Sequence, residues 1–92
     1  MAKRSYFGSA FVPNEEGEVL EINYYRMEES AGLCASYGVL VEVECAGCYE
    51  SAAVGEITTS LRRIEEILTL LYRNTVTPCT LQEIIWDEIH KF

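Results

Sequence analysis

Basic residues are scarce in this chain. Seven Lys and Arg stand against fifteen Asp and Glu, for a formal net charge of -8 and a sequence pI near 4.5. Proteins that bind nucleic acid draw much of their affinity from neutralising phosphates with Lys and Arg. The few cations here are scattered as Lys3-Arg4, Arg26, Arg62-Arg63, Arg73 and Lys91, so nucleic acid is not the expected partner. Arg62-Arg63 is a pair that could line a local anion site, although such a pair near a helix start is ordinary solvated surface. Histidine is scarcer still, with His90 alone. Nucleophilic catalysis wants a base beside the Ser or Cys, and one histidine near the last residue is a poor source of it. The six glycines are dispersed, which excludes a glycine-rich phosphate loop. No run approaches the roughly 18 apolar residues that span a bilayer. The stretch Ser5-Tyr6-Phe7-Gly8-Ser9, after the basic Met1-Ala2-Lys3-Arg4, is too polar for the apolar part of a signal peptide. The expectation is a soluble cytoplasmic protein with no membrane partner.

What the chain does have is apolar content: 49% of its 92 residues are hydrophobic. That is enough for a real core and argues against disorder. The length has room for one domain, residues 1–92. A chain so short buries only about 60–65% of the surface that it exposes when unfolded.

Residues 5–57 have the patterning of strands. Ser5 to Val12 is rich in aromatic and small residues, and Pro13-Asn14-Glu15-Glu16-Gly17 is a turn signal. Glu18 to Met27 alternates, with Leu20, Ile22 and Tyr24 on one face and Glu21, Asn23 and Tyr25 on the other. The two runs form a hairpin whose register is open by one residue. Glu28 to Leu33 is assigned to a second connection. Tyr37 to Cys45 then places Tyr37, Val39, Val41, Val43 and Cys45 together, with Leu40, Glu42 and Glu44 opposite. If Ala46-Gly47 is the whole of the next loop, Cys45 faces Cys48, Val41 faces Ala52 and Val39 faces Val54 on a returning strand, Cys48 to Ile57.

Residues 60–92 have the patterning of two helices. Thr58-Thr59-Ser60 offers capping hydroxyls. Leu61, Ile64, Ile67, Leu68 and Leu71 recur at helical spacing, for a helix of about 14 residues and about 21 Å. Asn74 is a candidate left-handed C-terminal cap, and Pro78 cannot continue the helix. The second helix starts near Thr77-Pro78 or at Thr80, where Thr80-Leu81-Gln82-Glu83 fits a reciprocal cap. Its buried stripe is Leu81, Ile84, Ile85, Ile89 and Phe92. The order ββββαα makes an α+β two-layer sandwich: a four-stranded antiparallel sheet with both helices packed on one face.

Three segments together resemble a known family: Tyr37-Gly38-Val39-Leu40-Val41-Glu42, Ile57-Thr58-Thr59-Ser60 and Thr77-Pro78-Cys79-Thr80-Leu81. The pattern is Tyr-Gly-Ile in a strand, Ile-Ser/Thr before a Leu-rich helix, and Thr-Pro before an acidic last helix. It is similar to that of a family of small uncharacterised proteins, mainly from Gram-positive anaerobes, classed as a domain of unknown function. The resemblance covers roughly residues 18–92. It implies the fold and no activity, and the Cys45-Ala46-Gly47-Cys48 turn is not part of its pattern.

Candidate chemistry starts with Cys45-x-x-Cys48, the spacing of a metal knuckle or a redox pair. Structural zinc needs two more ligands, from Cys34, Cys79 or His90, and Cys34 and Cys79 stand isolated in the sequence. A redox pair sits best at a helix N-terminus, whereas this one lies in a turn with Glu44 and Glu50 beside it. The ordinary reading is a pair of small apolar strand residues. On the last helix, Glu83, Asp87 and His90 share a flank that could offer ligands to a divalent ion. Exposed acidic flanks are common, however, and Asp87 with Lys91 makes an ordinary surface pair. His90 and Lys91 suit the negative end of a helix without any function. The pairs Glu28-Glu29 and Glu65-Glu66 lack apolar surroundings that would split their pKa values into acid and base.

The surface remains. Tyr24 and Tyr25 are adjacent in a strand and point to opposite faces. One face therefore carries Tyr25, Leu40 and Tyr49 on the side away from the helices, and Trp86 falls off the helical stripe. An uncovered face of this kind suits a protein contact, although rings there can also simply shield strands. The expected function is non-catalytic, with no cofactor: a protein-interaction or regulatory module that binds protein, including itself as a homodimer. A metal-binding or redox-sensing protein built on Cys45 and Cys48 is the alternative.

Overall fold

The computed structural model describes residues 2–90. Four strands are followed by two helices: β1 (Ala2–Pro13), β2 (Val19–Ala31), β3 (Cys34–Cys45), β4 (Cys48–Thr58), α1 (Leu61–Arg73) and α2 (Pro78–Ile89). The strands form one antiparallel sheet in the order β1-β2-β3-β4. Both helices pack on the same side of it, which is the ββββαα arrangement expected from the periodicities.

The core lies between the layers. Ile22 and Tyr24 of β2, Val39 and Val41 of β3, Ile64, Ile67, Leu68 and Leu71 of α1, and Leu81 and Ile85 of α2 are all buried. Val76, in the connection between the helices, joins them. Leu61 and Ile89, expected in the buried stripes, are 43% and 46% exposed because each lies at the end of its helix. Phe92 lies outside the described residues, as do Met1 and Lys91.

The strands are longer than their apolar alternation. Glu28 to Leu33, expected as a connection, is mostly strand, and the turn is Gly32-Leu33 alone, with Ala31 paired to Cys34. Polar residues at Glu28, Glu29, Ser30 and Ser36 hide this, since no buried residue of the core lies there to demand apolar side chains.

Turn chemistry is local and specific. The Asn14 side-chain oxygen accepts from the backbone N–H groups of Glu16 and Glu18, both at 2.9 Å, and Gly17 takes a φ of 85°. Ala46 and Gly47 both have positive φ, 49° and 85°, which is the hairpin turn whose twist matches the strands. The register expected across it is found: Cys45 pairs with Cys48, Val41 with Ala52 and Val39 with Val54.

Farther along the β3–β4 ladder the pairing breaks. Tyr37 pairs with Thr58 and Val39 with Val54, so Gly38 alone opposes Gly55, Glu56 and Ile57. A Cβ on Gly38 would sit 2.3 Å from the Val54 carbonyl oxygen. That contact gives a physical reason for the glycine in the Tyr-Gly motif.

The helix ends differ in part from expectation. Ser60 caps α1, its hydroxyl accepting from the Arg63 N–H at 3.2 Å. Asn74 is not left-handed: its φ is -95°, and Thr75 takes the positive φ of 48°. The Asn74 amide instead donates to the Leu70 carbonyl at 2.8 Å, satisfying an end group of the helix directly. α2 starts at Pro78, so Thr80 lies inside it and no reciprocal cap forms there. The Thr80 hydroxyl donates back to the Thr77 carbonyl.

Candidate functional site

The side of the sheet away from the helices has no covering element among the described residues. Strand register arranges its side chains in rows that cross all four strands. One row runs Tyr6, Tyr25, Leu40 and Ala53; the next is Ser9, Asn23, Glu42 and Ser51; a third is Phe11, Glu21, Glu44 and Tyr49. Tyr25, Leu40 and Tyr49 thus share this face, as their alternation implies, whereas Trp86 is on α2 in the other layer.

The face is polar and aromatic at once. The Arg4 guanidinium lies 4.9 Å from the centre of the Tyr25 ring and 3.5 Å from a Glu42 carboxylate oxygen. The Tyr49 hydroxyl donates to the same carboxylate. Tyr6 meets Tyr25 edge to face at 5.8 Å, and Tyr6, Ser9 and Asn23 are joined by hydrogen bonds that continue to Glu21. The hydrogen bond to Glu42 holds the Tyr49 hydroxyl above its ordinary pKa, while burial first and then Glu42 raise that of Tyr25. These tyrosines are neutral donors at physiological pH.

Tyr6 and Phe11 escape a reading of the strands one by one. Tyr6, Phe11 and Tyr49 are 62%, 64% and 59% exposed. Phe11 is there because β1 slips register between Tyr6 and Gly8. The extra residue, Phe7, turns toward the helices and meets the Tyr72 ring edge to face at 6.4 Å. Past that bulge the parity reverses, so Ala10 and Val12 pack on the core and Phe11 faces out. Gly8 is the only local signal of such an irregularity.

On the helix side, an open groove of about 250 Å³ is lined by Leu20, Val43, Cys45, Cys48, Glu50, Thr77, Pro78 and Cys79. The first turn of α2 thus brings Cys79 to the same groove as the hairpin pair. All four cysteines are free thiols. Burial, then the charges of Glu18 and Glu16 with the Cys48 thiol between them in weight, hold Cys45 above the ordinary thiol pKa. That favours the thiol over the thiolate, the form that reacts and binds metal. Among the described residues, no three of His, Cys, Asp and Glu gather in a set that could hold a metal ion.

Of the remaining charged candidates, Arg63 and His90 make contacts within the fold. Arg63 donates to the Glu88 carboxylate at 3.2 Å and to its carbonyl at 3.4 Å, tying α1 to α2. Arg62 is exposed. On the flank of Glu83 and Asp87, His90 stacks on Trp86 with ring centres 3.9 Å apart and lies 2.9 Å from the Trp86 carbonyl through Nδ1. Trp86 itself is 64% exposed.

A four-stranded antiparallel sheet with a helical layer on one face and an uncovered aromatic face on the other defines a small α+β domain. The chain belongs to DUF6514, a family of unknown function, whose model matches residues 3–91. The match takes in β1 as well as the segments that carry the resemblance. Searches of curated proteins and of solved structures each give no match. No helix among the described residues is long and apolar enough to cross a membrane.

Proposed function

We propose that this domain is a non-catalytic protein-interaction module and that the open face of its sheet is the docking surface. The observation that carries the reading is the uncovered row structure itself, with Tyr6, Phe11 and Tyr49 each about 60% exposed on one continuous face. Monomeric proteins rarely leave several large rings together on one flat surface, and Tyr is among the residues enriched at protein contacts. Arg4, Tyr25, Glu42 and Tyr49 hold one another by ring and charge contacts. A partner would thus meet a surface with part of its ordering entropy already lost, which favours affinity.

Self-association as a homodimer is one form of this reading. It gives a mass that rises with concentration in light scattering, and Tyr49→Glu removes the larger species while leaving the fold intact. A mass that stays monomeric at every concentration ends the self-associating form. Equal loss on substituting Trp86 would move the contact to the helical layer and end the open-face reading.

The groove favours one second reading, a thiol protein that responds to oxidation. Its support is the gathering of Cys45, Cys48 and Cys79 on one lining. Thiol titration before and after a peroxide separates the two. Loss of two thiols with no intermolecular product supports the second reading, and four thiols throughout end it.

A further inference from the structure

The open face carries a charge pattern as well as rings. By strand register its charged side chains are Arg4, Glu21, Glu29, Glu42 and Glu44, four acids against one base. Glu21 and Glu44 stand directly opposite each other across β2 and β3, where like charges weaken a strand pair. Among the described residues no Lys, Arg or His lies within ion-pair distance of either. Their row is closed at one end by Phe11 and at the other by Tyr49, both exposed. Four strands at about 4.8 Å spacing make that row about 14 Å across.

A few residues along the same face, the chain shows how such a surface takes a cation. Arg4 rests over the Tyr25 ring while a Glu42 oxygen lies 3.5 Å from its guanidinium. A ring face and a carboxylate together hold a guanidinium or ammonium group by its charge from two sides. Glu21 and Glu44 with Phe11 and Tyr49 are the same two kinds of group, with no cation paired to them among the described residues.

We propose that the open face docks a basic segment of another protein, with a Lys or Arg seated between Glu21 and Glu44 and apolar side chains against Phe11 and Tyr49. This rests on the open face being the docking surface. A second copy fits the row less well, since it would bring the same excess of carboxylates to the contact.

The test uses the full chain and short synthetic peptides: one alternating Lys with Val, one alternating Ser with Val, and one alternating Glu with Val. Binding is read by amide shift changes and by fluorescence anisotropy at low and moderate salt. The Lys peptide is expected to shift the amides of Phe11, Glu21, Glu44 and Tyr49 and to weaken with salt. The double variant Glu21→Gln/Glu44→Gln should lose about fivefold or more in affinity. Glu66→Gln/Glu83→Gln, which removes the same charge from the helical layer, should stay within about twofold. Equal losses in the two double variants would mean attraction to bulk charge and overturn the proposal. Ser and Lys peptides docking equally well on the open face would overturn the basic partner and leave the docking surface standing. If no peptide shifts the open face, both fail.

Discussion

The phenol of Tyr24, on β2, donates a 2.9 Å hydrogen bond to the carbonyl of Val76, in the connection between α1 and α2. Both residues are buried, so this bond ties the sheet to the turn of the helical layer inside the core. Tyr24→Phe keeps the ring and strands the Val76 carbonyl. The expected cost is about 1–3 kcal/mol, read as a lower urea midpoint with an unchanged slope.

The same tyrosine sets an alkaline limit. Burial, with Tyr72 nearby, pushes its pKa from 10.0 up to about 12. An acid whose pKa is raised in the fold contributes stability that is whole below the unfolded value, and that stability is lost as pH rises through the folded value. The window is therefore pH 10 to 12, and the loss is about 2–3 kcal/mol. Tyr24→Phe lacks this loss, so its stability deficit should close or reverse across that window. Parallel alkaline limbs for the two proteins would contradict the assignment.

Gly38 and Gly55 make a matched pair of substitutions. A Cβ at Gly38 would meet the Val54 oxygen at 2.3 Å and the Gly55 Cα at 2.7 Å, whereas one at Gly55 meets nothing within 4 Å. Gly38→Ala should cost about 3 kcal/mol or more, or abolish soluble expression. Gly55→Ala should stay within about 1 kcal/mol. Chemical unfolding of both variants checks the contrast.

Ala46 should yield a stabilising change. It holds a φ of 49° in a two-residue turn, a region that costs an alanine about 1 kcal/mol and that asparagine tolerates. Ala46→Asn is expected to raise stability by about 0.5–1 kcal/mol, seen as a higher melting temperature.

The thiols should react in a definite order. Cys34, Cys48 and Cys79 are exposed, and Cys45 is half-buried with its pKa raised by burial and by acidic neighbours. Timed alkylation at neutral pH, followed by mass spectrometry, should modify Cys45 last, and urea should erase the difference. Cys45 reacting first would mean that the groove activates it.

Much of this architecture is written in local pattern. The alternation of Tyr37 to Cys45 set against Cys48 to Ile57 predicts the β3–β4 register from the turn as far as Val39 and Val54, because a two-residue turn leaves no freedom. It does not predict the irregularity beyond them that pairs Tyr37 with Thr58. The buried residues Ile64, Ile67, Leu68 and Leu71 of α1 and Leu81 and Ile85 of α2 follow from helical spacing in the same way, whereas spacing also includes the exposed end residues Leu61 and Ile89. The Phe7 bulge does not, since its cause is the packing of that ring on Tyr72, far along the chain. The outer half of the β2–β3 hairpin is silent for a related reason: with no core beside it, nothing imposes alternation. Cys79 comes to the same groove as Cys45 and Cys48 only through the docking of α2, which no spacing in the sequence encodes.

Hydroxyl-radical footprinting in native host extract and in dilute buffer tests the docking surface most directly. Tyr6, Phe11 and Tyr49 should be protected in extract, while Tyr72 and Trp86 react as they do in buffer. Protection at Tyr72 and Trp86, with the sheet's rings reacting freely, would contradict the account.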